Sequence, residues 1–231
     1  VKVALSGDGG DEVFGGYDWY REYRNYNRLS NVLRYCLPLQ TLNSLYPQNF
    51  KGKNRLERVA SDKIDLYIRL IGGFTRKDKQ QFLPEKYRDL VPDDYDDGWF
   101  FRKYWRKDLP LYTRLQYLDL KTYLPCDILT KVDRASMKSS LEVRVPLLDH
   151  RLVEYSFSLP ESIRFHGNEL KGILKHAMKD DLPQSVLTRE KKGFSIPWQE
   201  WFDSKDFPES VPRHFERPWL IATWFEEMLE I

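Results

Sequence analysis

Apolar residues recur at helical spacing along most of this chain and at strand spacing almost nowhere. From Leu56 to Leu70 they fall near i, i+3, i+4 and i+7, at Val59, Ile64, Tyr67 and Ile68, and Gly72-Gly73 stops the run. That period predicts one helix. A second helix is expected from Leu111 to Tyr123, running up to Pro125, and a third from about Asp127 to Lys138. Leu148 to Ser158, Leu170 to Lys179 and Pro218 to Ile231 read as further helices. One segment differs. Val1-Lys2-Val3-Ala4-Leu5 is β-branched and mostly apolar, as in a strand covered on both faces, and it ends at Ser6-Gly7. No later segment reads as a second buried strand, and one strand cannot make a sheet. The pattern therefore predicts a mostly α chain with one N-terminal strand, a fragment of a larger α/β unit cut just before the last strand.

The strand runs into Ser6-Gly7-Asp8-Gly9-Gly10-Asp11-Glu12-Val13-Phe14-Gly15-Gly16-Tyr17. Three glycines among five residues followed by two acids describe a tight turn entering a helix. Such a turn can bring backbone N–H groups to phosphate oxygens. Its carboxylates can cap the helix, with Asp11 as the expected N-cap, or hold Mg²⁺ against a polyphosphate. The spacing excludes G-x-G-x-x-G, because position 12 is Glu, and no G-K-[ST] follows. A purely structural Gly/Asp turn is the competing reading.

Three other stretches carry charge in a pattern. Between Asp18 and Pro47 tyrosines interleave with arginines, which suits stacking on single-stranded nucleic acid, although helical packing with snorkelling arginines is the commoner use. From Tyr123 to His150 charges are woven through apolar residues, so Asp127, Lys131, Asp133, Arg134, Glu142 and Arg144 are expected to be partly buried and paired with each other or a ligand. Lys131, Arg134 and Lys138 share one helical face as a basic stripe. Arg189-Glu190-Lys191-Lys192-Gly193-Phe194 is either a mobile loop closing on phosphate or an exposed basic turn. The acidic run Asp93-Asp94-Tyr95-Asp96-Asp97 lacks EF-hand spacing and reads as a solvated loop.

Composition narrows the classes. The 231 residues carry 37 Lys and Arg against 35 Asp and Glu, a net charge of +2, which gives no basic excess of the kind a nucleic-acid binder shows. No apolar run is long enough for a transmembrane helix. The 7 Trp, 14 Tyr and 13 Phe supply buriable surface that argues against disorder. Cys36 and Cys126 are far apart with no metal-ligand spacing, consistent with a reducing, cytoplasmic setting.

At three places the chain resembles the synthetase domain of glutamine-dependent asparagine synthetases. These are Ser6 to Glu12 with Phe14-Gly15-Gly16-Tyr17, then Asp127 through His150 with its Ser140-Leu141-Glu142-Val143-Arg144-Val145-Pro146 core, then Lys171-x-x-Leu174-Lys175 with Leu182-Pro183 through Phe194. The resemblance implies the helical C-terminal part of an α/β ATP-pyrophosphatase-like domain, similar to adenine nucleotide α-hydrolases. Residues 1–17 would form the strand-turn-helix of an ATP site, 18–200 a helical region and 201–231 a tail. It implies ATP and Mg²⁺, aspartate as the acid that is adenylated, ammonia drawn from glutamine by a glutaminase domain, and a homodimeric parent. Ser6, Gly7 and Gly9 match ATP-site positions, and Asp11 matches the carboxylate that holds Mg²⁺ and pyrophosphate. Asp8 stands where the family usually has Glu, a residue linked to adenylate formation and ammonia attack. Lys191 matches the loop cation of the adenylation step. Two family features are absent from these residues, the Ser-Gly-Gly-x-Asp-Ser pyrophosphate loop and the glutaminase domain, so the isolated chain is expected not to turn over. Two alternatives stay open. One is a related amidotransferase acting on another carboxylate, in polysaccharide modification or β-lactam closure; the other is a non-catalytic helical binding module.

Overall fold

Strand β1 (Val3–Leu5) does find a partner. It pairs in parallel with β2 (Glu142–Arg144), in the register Val3 to Glu142, Ala4 to Val143 and Leu5 to Arg144. Backbone bonds extend the ladder at both ends, Glu142 N–H to Lys2 O and Ser6 N–H to Arg144 O, each 2.9 Å. The expectation of a single strand is thus corrected. β2 escapes a pattern search because it is three residues long and its one apolar residue, Val143, stands between two charges. Nor do the described residues bury β1 on both faces, since Val3 and Leu5 are exposed.

The computed structural model describes residues 1–34, 38–45, 52–76, 79–80, 92, 94–165 and 169–189. After β1 come α1 (Gly10–Phe14), α2 (Asp18–Arg34), α3 (Leu39–Leu45), α4 (Lys53–Ala60) and α5 (Lys63–Leu70). The single helix expected over 56–70 is two helices. Asp62 adopts an extended backbone (φ −68°, ψ 172°), and its Oδ1 accepts the N–H groups of Ile64 at 2.6 Å and Asp65 at 2.9 Å. An aspartate satisfies orphan N–H donors better at a cap than inside a helix, and here it restarts the chain as α5.

Then follow α6 (Trp99–Lys103) and α7 (Leu111–Lys121), a π-helix over Leu124–Leu129, and α8 (Thr130–Met137). Pro125 sits in the first turn of the π-helix, where its missing N–H costs nothing; the break between the two expected helices falls three residues earlier, at Thr122 (φ −129°, ψ −73°). Beyond β2 a 3₁₀ turn over Pro146–Leu148 leads to α9 (His150–Ser158), capped by Asp149, whose Oδ1 accepts the Arg151 N–H at 2.9 Å. Short helices α10 (Glu161–Arg164), α11 (Gly172–Ala177) and α12 (Gln184–Thr188) complete the order. The expected helix at Pro218–Ile231 and the tail 201–231 lie outside the described residues.

The core joins α2, α5 and α7 through Tyr20, Tyr23, Ile64, Leu66, Tyr67, Ile68, Tyr112, Leu115 and Leu118. Each such side chain, taken from water, contributes on the order of 2 kcal/mol. The aromatic-basic stretch of α2 is explained by this packing. Tyr20 and Tyr23 are buried, Arg24 lies 5.4 Å over the Tyr112 ring, Arg58 reaches Glu22 at 3.2 Å, and Arg21 pairs with Asp18. The chain divides into two units. One is Val1–Gly73 with Gly98–Leu187, which holds both strands, the core and the helices from α1 to α11. The other is Phe74–Asp97 with Thr188–Ile231, in which Arg76 donates to the Tyr95 carbonyl at 3.0 Å and Lys79 pairs with Asp97. Among the described residues no helix is long and apolar enough to cross a membrane.

Candidate active site

The turn after β1 is shaped by glycine at two of its three glycine positions. Gly9 has φ 80°, and a Cβ there would stand 2.2 Å from Leu148 Cδ2. Only glycine combines that left-handed backbone with so close a neighbour. At Gly10 the would-be Cβ lies 2.8 Å from Leu147 Cδ1, so any larger residue would push that side chain aside. Gly7 is different, exposed and with no atom within 4 Å of that position. Gly9 and Gly10 therefore seat the turn on the 146–148 segment, while Gly7 is the position that faces open space. Ser6 Oγ donates to Asp8 Oδ2 at 2.6 Å, folding the Asp8 carboxylate back over the strand end.

Gly9, not Asp11, is the N-cap of α1, and no side chain caps the helix. Asp11 does not cap because the helix starts two residues earlier than an Asp11 cap would set it, at Gly10, which places Asp11 in its first turn. Its Oδ1 lies 3.3 Å from Lys171 Nζ, with both side chains partly exposed, 24% and 31%. Gly16 makes room for this pair: a Cβ there would sit 1.9 Å from Asp11 Oδ1 and 2.5 Å from Lys171 Cε. Lys171 holds a left-handed backbone (φ 55°, ψ 28°) just before α11, and its N–H reaches the Gly15 carbonyl at 3.4 Å. A non-glycine residue in that conformation costs on the order of 1 kcal/mol, which the surrounding contacts must offset. Lys171 was visible in the sequence only as part of a motif; its partner is 160 positions away, beyond the reach of any local pattern.

Behind α1 the polar groups are of another kind. Glu12 is buried and accepts from the Tyr17 hydroxyl at 2.7 Å; burial raises its carboxyl above the usual range, against the lowering effect of that bond. Asp119 on α7 is fully buried. Tyr20 OH donates to its Oδ2 at 2.5 Å, Tyr67 OH donates to Oδ1, and the Trp19 indole N–H points to Oδ2 at 3.4 Å. Burial pushes this carboxyl up to about 7 in spite of the donors. Tyr17 stacks on Trp19 at 3.7 Å, and Tyr123 closes edge-on against both.

Other candidates separate. The charges of the 127–144 stretch are not buried ion pairs. Asp127, Lys131, Asp133, Arg134, Glu142 and Arg144 are all exposed, and Arg144 bonds Glu142 at 2.7 Å in the open. A short strand and one exposed helix provide no interior for them, so water meets their solvation demand. The stripe of Lys131, Arg134 and Lys138 is likewise exposed on α8. Lys191 and its loop lie outside the described residues. Asp8 and Asp11 offer hard carboxylate oxygens, the donor type Mg²⁺ takes when it keeps substrate phosphates and water as its remaining ligands.

A family model described as asparagine synthase matches residues 1–218. Among curated proteins, asparagine synthetase [glutamine-hydrolyzing] 1 of Bacillus subtilis is 32% identical over 208 residues, covering 89% of this chain and 32% of its own length. A putative asparagine synthetase [glutamine-hydrolyzing] of Mycobacterium bovis is 32% identical over 219 residues, 90% of this chain and 32% of its own. An amidase of Gibberella zeae, chry2, is 26% identical over 87% of this chain. The chain thus spans about a third of the length of the curated relatives it matches. No solved structure matches it significantly.

Proposed function

The chain belongs to the asparagine synthase family, and on that premise we propose that it supplies the strand-turn-helix half of a synthetase site that adenylates aspartate with ATP and then amidates it with ammonia. One observation carries this reading. Within a family match over 1–218, the turn after β1 carries the Ser6–Asp8 bond and leads into the first turn of α1, where the partly exposed Asp11 pairs with Lys171, oxygen donors and a cation suited to a polyphosphate.

In the first step a carboxylate oxygen of aspartate attacks the α-phosphorus of ATP, and the bond to the pyrophosphate oxygen breaks. Charge grows on the leaving pyrophosphate. In this reading Lys171 meets it, loosening its hold on Asp11, and Lys191 is assigned the same task at the α-phosphate; fixed cations at developing charge are a large source of rate. Mg²⁺ held by Asp11, with Asp8 nearby in sequence, would neutralise phosphate oxygens. Ser6 and Gly7 line the nucleotide side of the turn in this reading, and Gly9, buried against Leu148, holds the turn in shape behind them. In the second step ammonia attacks the acyl carbon and AMP leaves. The nitrogen must lose a proton, and the Asp8 carboxylate, steadied by Ser6 Oγ, takes it. The products are asparagine, AMP and pyrophosphate. Ammonia would come from glutamine through a glutaminase domain elsewhere in the full-length protein, as would a Ser-Gly-Gly-x-Asp-Ser loop; the 231 residues alone are expected not to turn over.

A second reading is amidation of a different carboxylic acid at the same turn; the match to a protein named as an amidase points to amide chemistry and not to aspartate in particular. A panel of carboxylic acids offered to the full-length protein with ATP, Mg²⁺ and ammonium separates them. AMP formation that requires aspartate supports the first reading, and AMP formation that requires another acid supports the second. ADP in place of AMP would refute both.

A further inference from the structure

Helix α1 is one turn long, far below the length at which a helix holds itself. Its C-terminal carbonyls are instead closed by side chains from other elements. Gln116 on α7, wholly buried, donates from Nε2 to Glu12 O at 2.8 Å and to Val13 O at 3.0 Å. Ser156 on α9, also buried, donates from Oγ to Val13 O at 3.0 Å. The Gly16 N–H takes the Asp11 carbonyl at 2.8 Å.

The orientation of Gln116 is itself fixed. Its Oε1 accepts Arg164 Nη1 at 2.6 Å, so the amide cannot turn over without facing oxygen to two carbonyls and nitrogen to a guanidinium. Arg164 is 2% exposed, set beside the Phe157 and Phe165 rings at 4.9 and 5.9 Å. Its remaining nitrogens bond Thr113 Oγ1 and Leu159 O. Phe165 in turn closes on Gly15, whose would-be Cβ lies 2.2 Å from the ring. Burying an arginine is expensive, and an apolar residue of the same volume would stabilise a core as well. What the guanidinium adds is direction.

We infer that Gln116, oriented by Arg164, is a positioning residue for Asp11: it grips the far end of the one-turn helix whose first turn presents that carboxylate beside Lys171. This inference rests on the reading of Asp11 as a Mg²⁺ and pyrophosphate residue. Groups that orient a ligating carboxylate change metal affinity while leaving the ligand itself intact.

The test uses the full-length protein and the variants Gln116→Glu and Ser156→Ala. Gln116→Glu keeps volume and the Arg164 contact but turns an oxygen toward the two carbonyls; Ser156→Ala removes one hydroxyl donor and keeps the fold if the first variant does not. Two readouts are taken. Amide hydrogen exchange of residues 13–16 should quicken by roughly tenfold in Gln116→Glu and less in Ser156→Ala, with α5 unchanged. The Mg²⁺ concentration for half-maximal pyrophosphate release should rise by about 10- to 100-fold in Gln116→Glu, with kcat at saturating Mg²⁺ little changed. Unaltered exchange at 13–16 together with an unaltered Mg²⁺ midpoint in the folded variants overturns the inference and leaves the proposed function standing. A lowered melting temperature with the same Mg²⁺ midpoint also overturns it, since a merely structural role predicts that. Wild-type protein that releases no pyrophosphate under any Mg²⁺ concentration refutes the functional reading instead.

Discussion

Asp11 and Asp119 are both aspartates of the same structural unit, and the structure treats them in opposite ways. Asp11 stands at the front of α1, a quarter exposed, against a lysine that water also reaches. Asp119 stands behind it on α7, closed from water, with two tyrosine hydroxyls and an indole aimed at its oxygens. Neutral donors use up the lone pairs of Asp119 without cancelling its charge, so desolvation dominates and its carboxyl rises to about 7. Asp11 keeps a cationic partner that can be exchanged for a ligand. The role proposed for Asp11 draws on that access and that replaceable neighbour, whereas the bonding capacity of Asp119 is consumed in the core.

The sharpest way to break the contrast is to truncate the buried member. Asp119→Ala leaves the hydroxyls of Tyr20 and Tyr67 without their acceptor, and unfolding by urea should show a loss of about 3 kcal/mol. A loss under about 1 kcal/mol, on the scale of a dispensable surface group, would contradict the central place given to this carboxylate.

The titration of the same carboxylate gives an effect spread over about three pH units. The folded pKa is raised above the ordinary value of 3.8 to about 7, so the folded state binds a proton that the unfolded state has lost. Stability from this group is complete below the unfolded value and falls as pH rises toward 7, by up to about 1.4 kcal/mol per pH unit. Burial raises Glu12 in the same direction, so part of the slope persists without Asp119. Asp119→Asn should therefore flatten, without erasing, the decline in chemical stability between about pH 4 and 7. An unchanged slope would show that Asp119 does not titrate there.

The smallest effect expected is at Asp62, where a half-exposed carboxylate caps α5. Asp62→Ala should cost about 1 kcal/mol by loss of the two N–H acceptor bonds. Against its partial burial, those bonds and Arg102 hold the Asp62 carboxyl below its ordinary value, so the cost should shrink as pH falls below about 4 while the slope from about pH 4 to 7 stays as it is.

How much of this was legible depends on distance along the chain. The strand, turn and helix of residues 1–17 show in the sequence because each signal is local: an apolar run, glycines, then paired acids. β2 does not show, because three residues with charges at both ends carry no period. The break at Ser61-Asp62 was masked by apolar residues on both sides that suggest one continuous helix. Its signal was there, an aspartate two residues before Ile64. The charges from Asp127 to Arg144 misled in the other direction: dense charge among apolar residues suggested burial, yet a strand and a helix with water beside them leave every one exposed. Asp119 sits one and four residues from Leu118 and Leu115, inside the apolar face of α7, and sequence gives no reason to suspect that three aromatic donors converge on it. The pairs Asp11–Lys171 and Gln116–Val13 join residues more than a hundred positions apart, where only the fold can bring them together.

The central claim is that the chemistry belongs to the front of α1 and the stability to the back. Pyrophosphate release by the full-length protein, measured with ATP, Mg²⁺, aspartate and ammonium for Asp11→Ala and Asp119→Asn side by side, tests it most directly. The expected result is a loss of about 100-fold or more for Asp11→Ala with its melting temperature nearly unchanged, against a turnover within about threefold of wild type for folded Asp119→Asn. Equal losses in the two variants, or full turnover by Asp11→Ala, would contradict it.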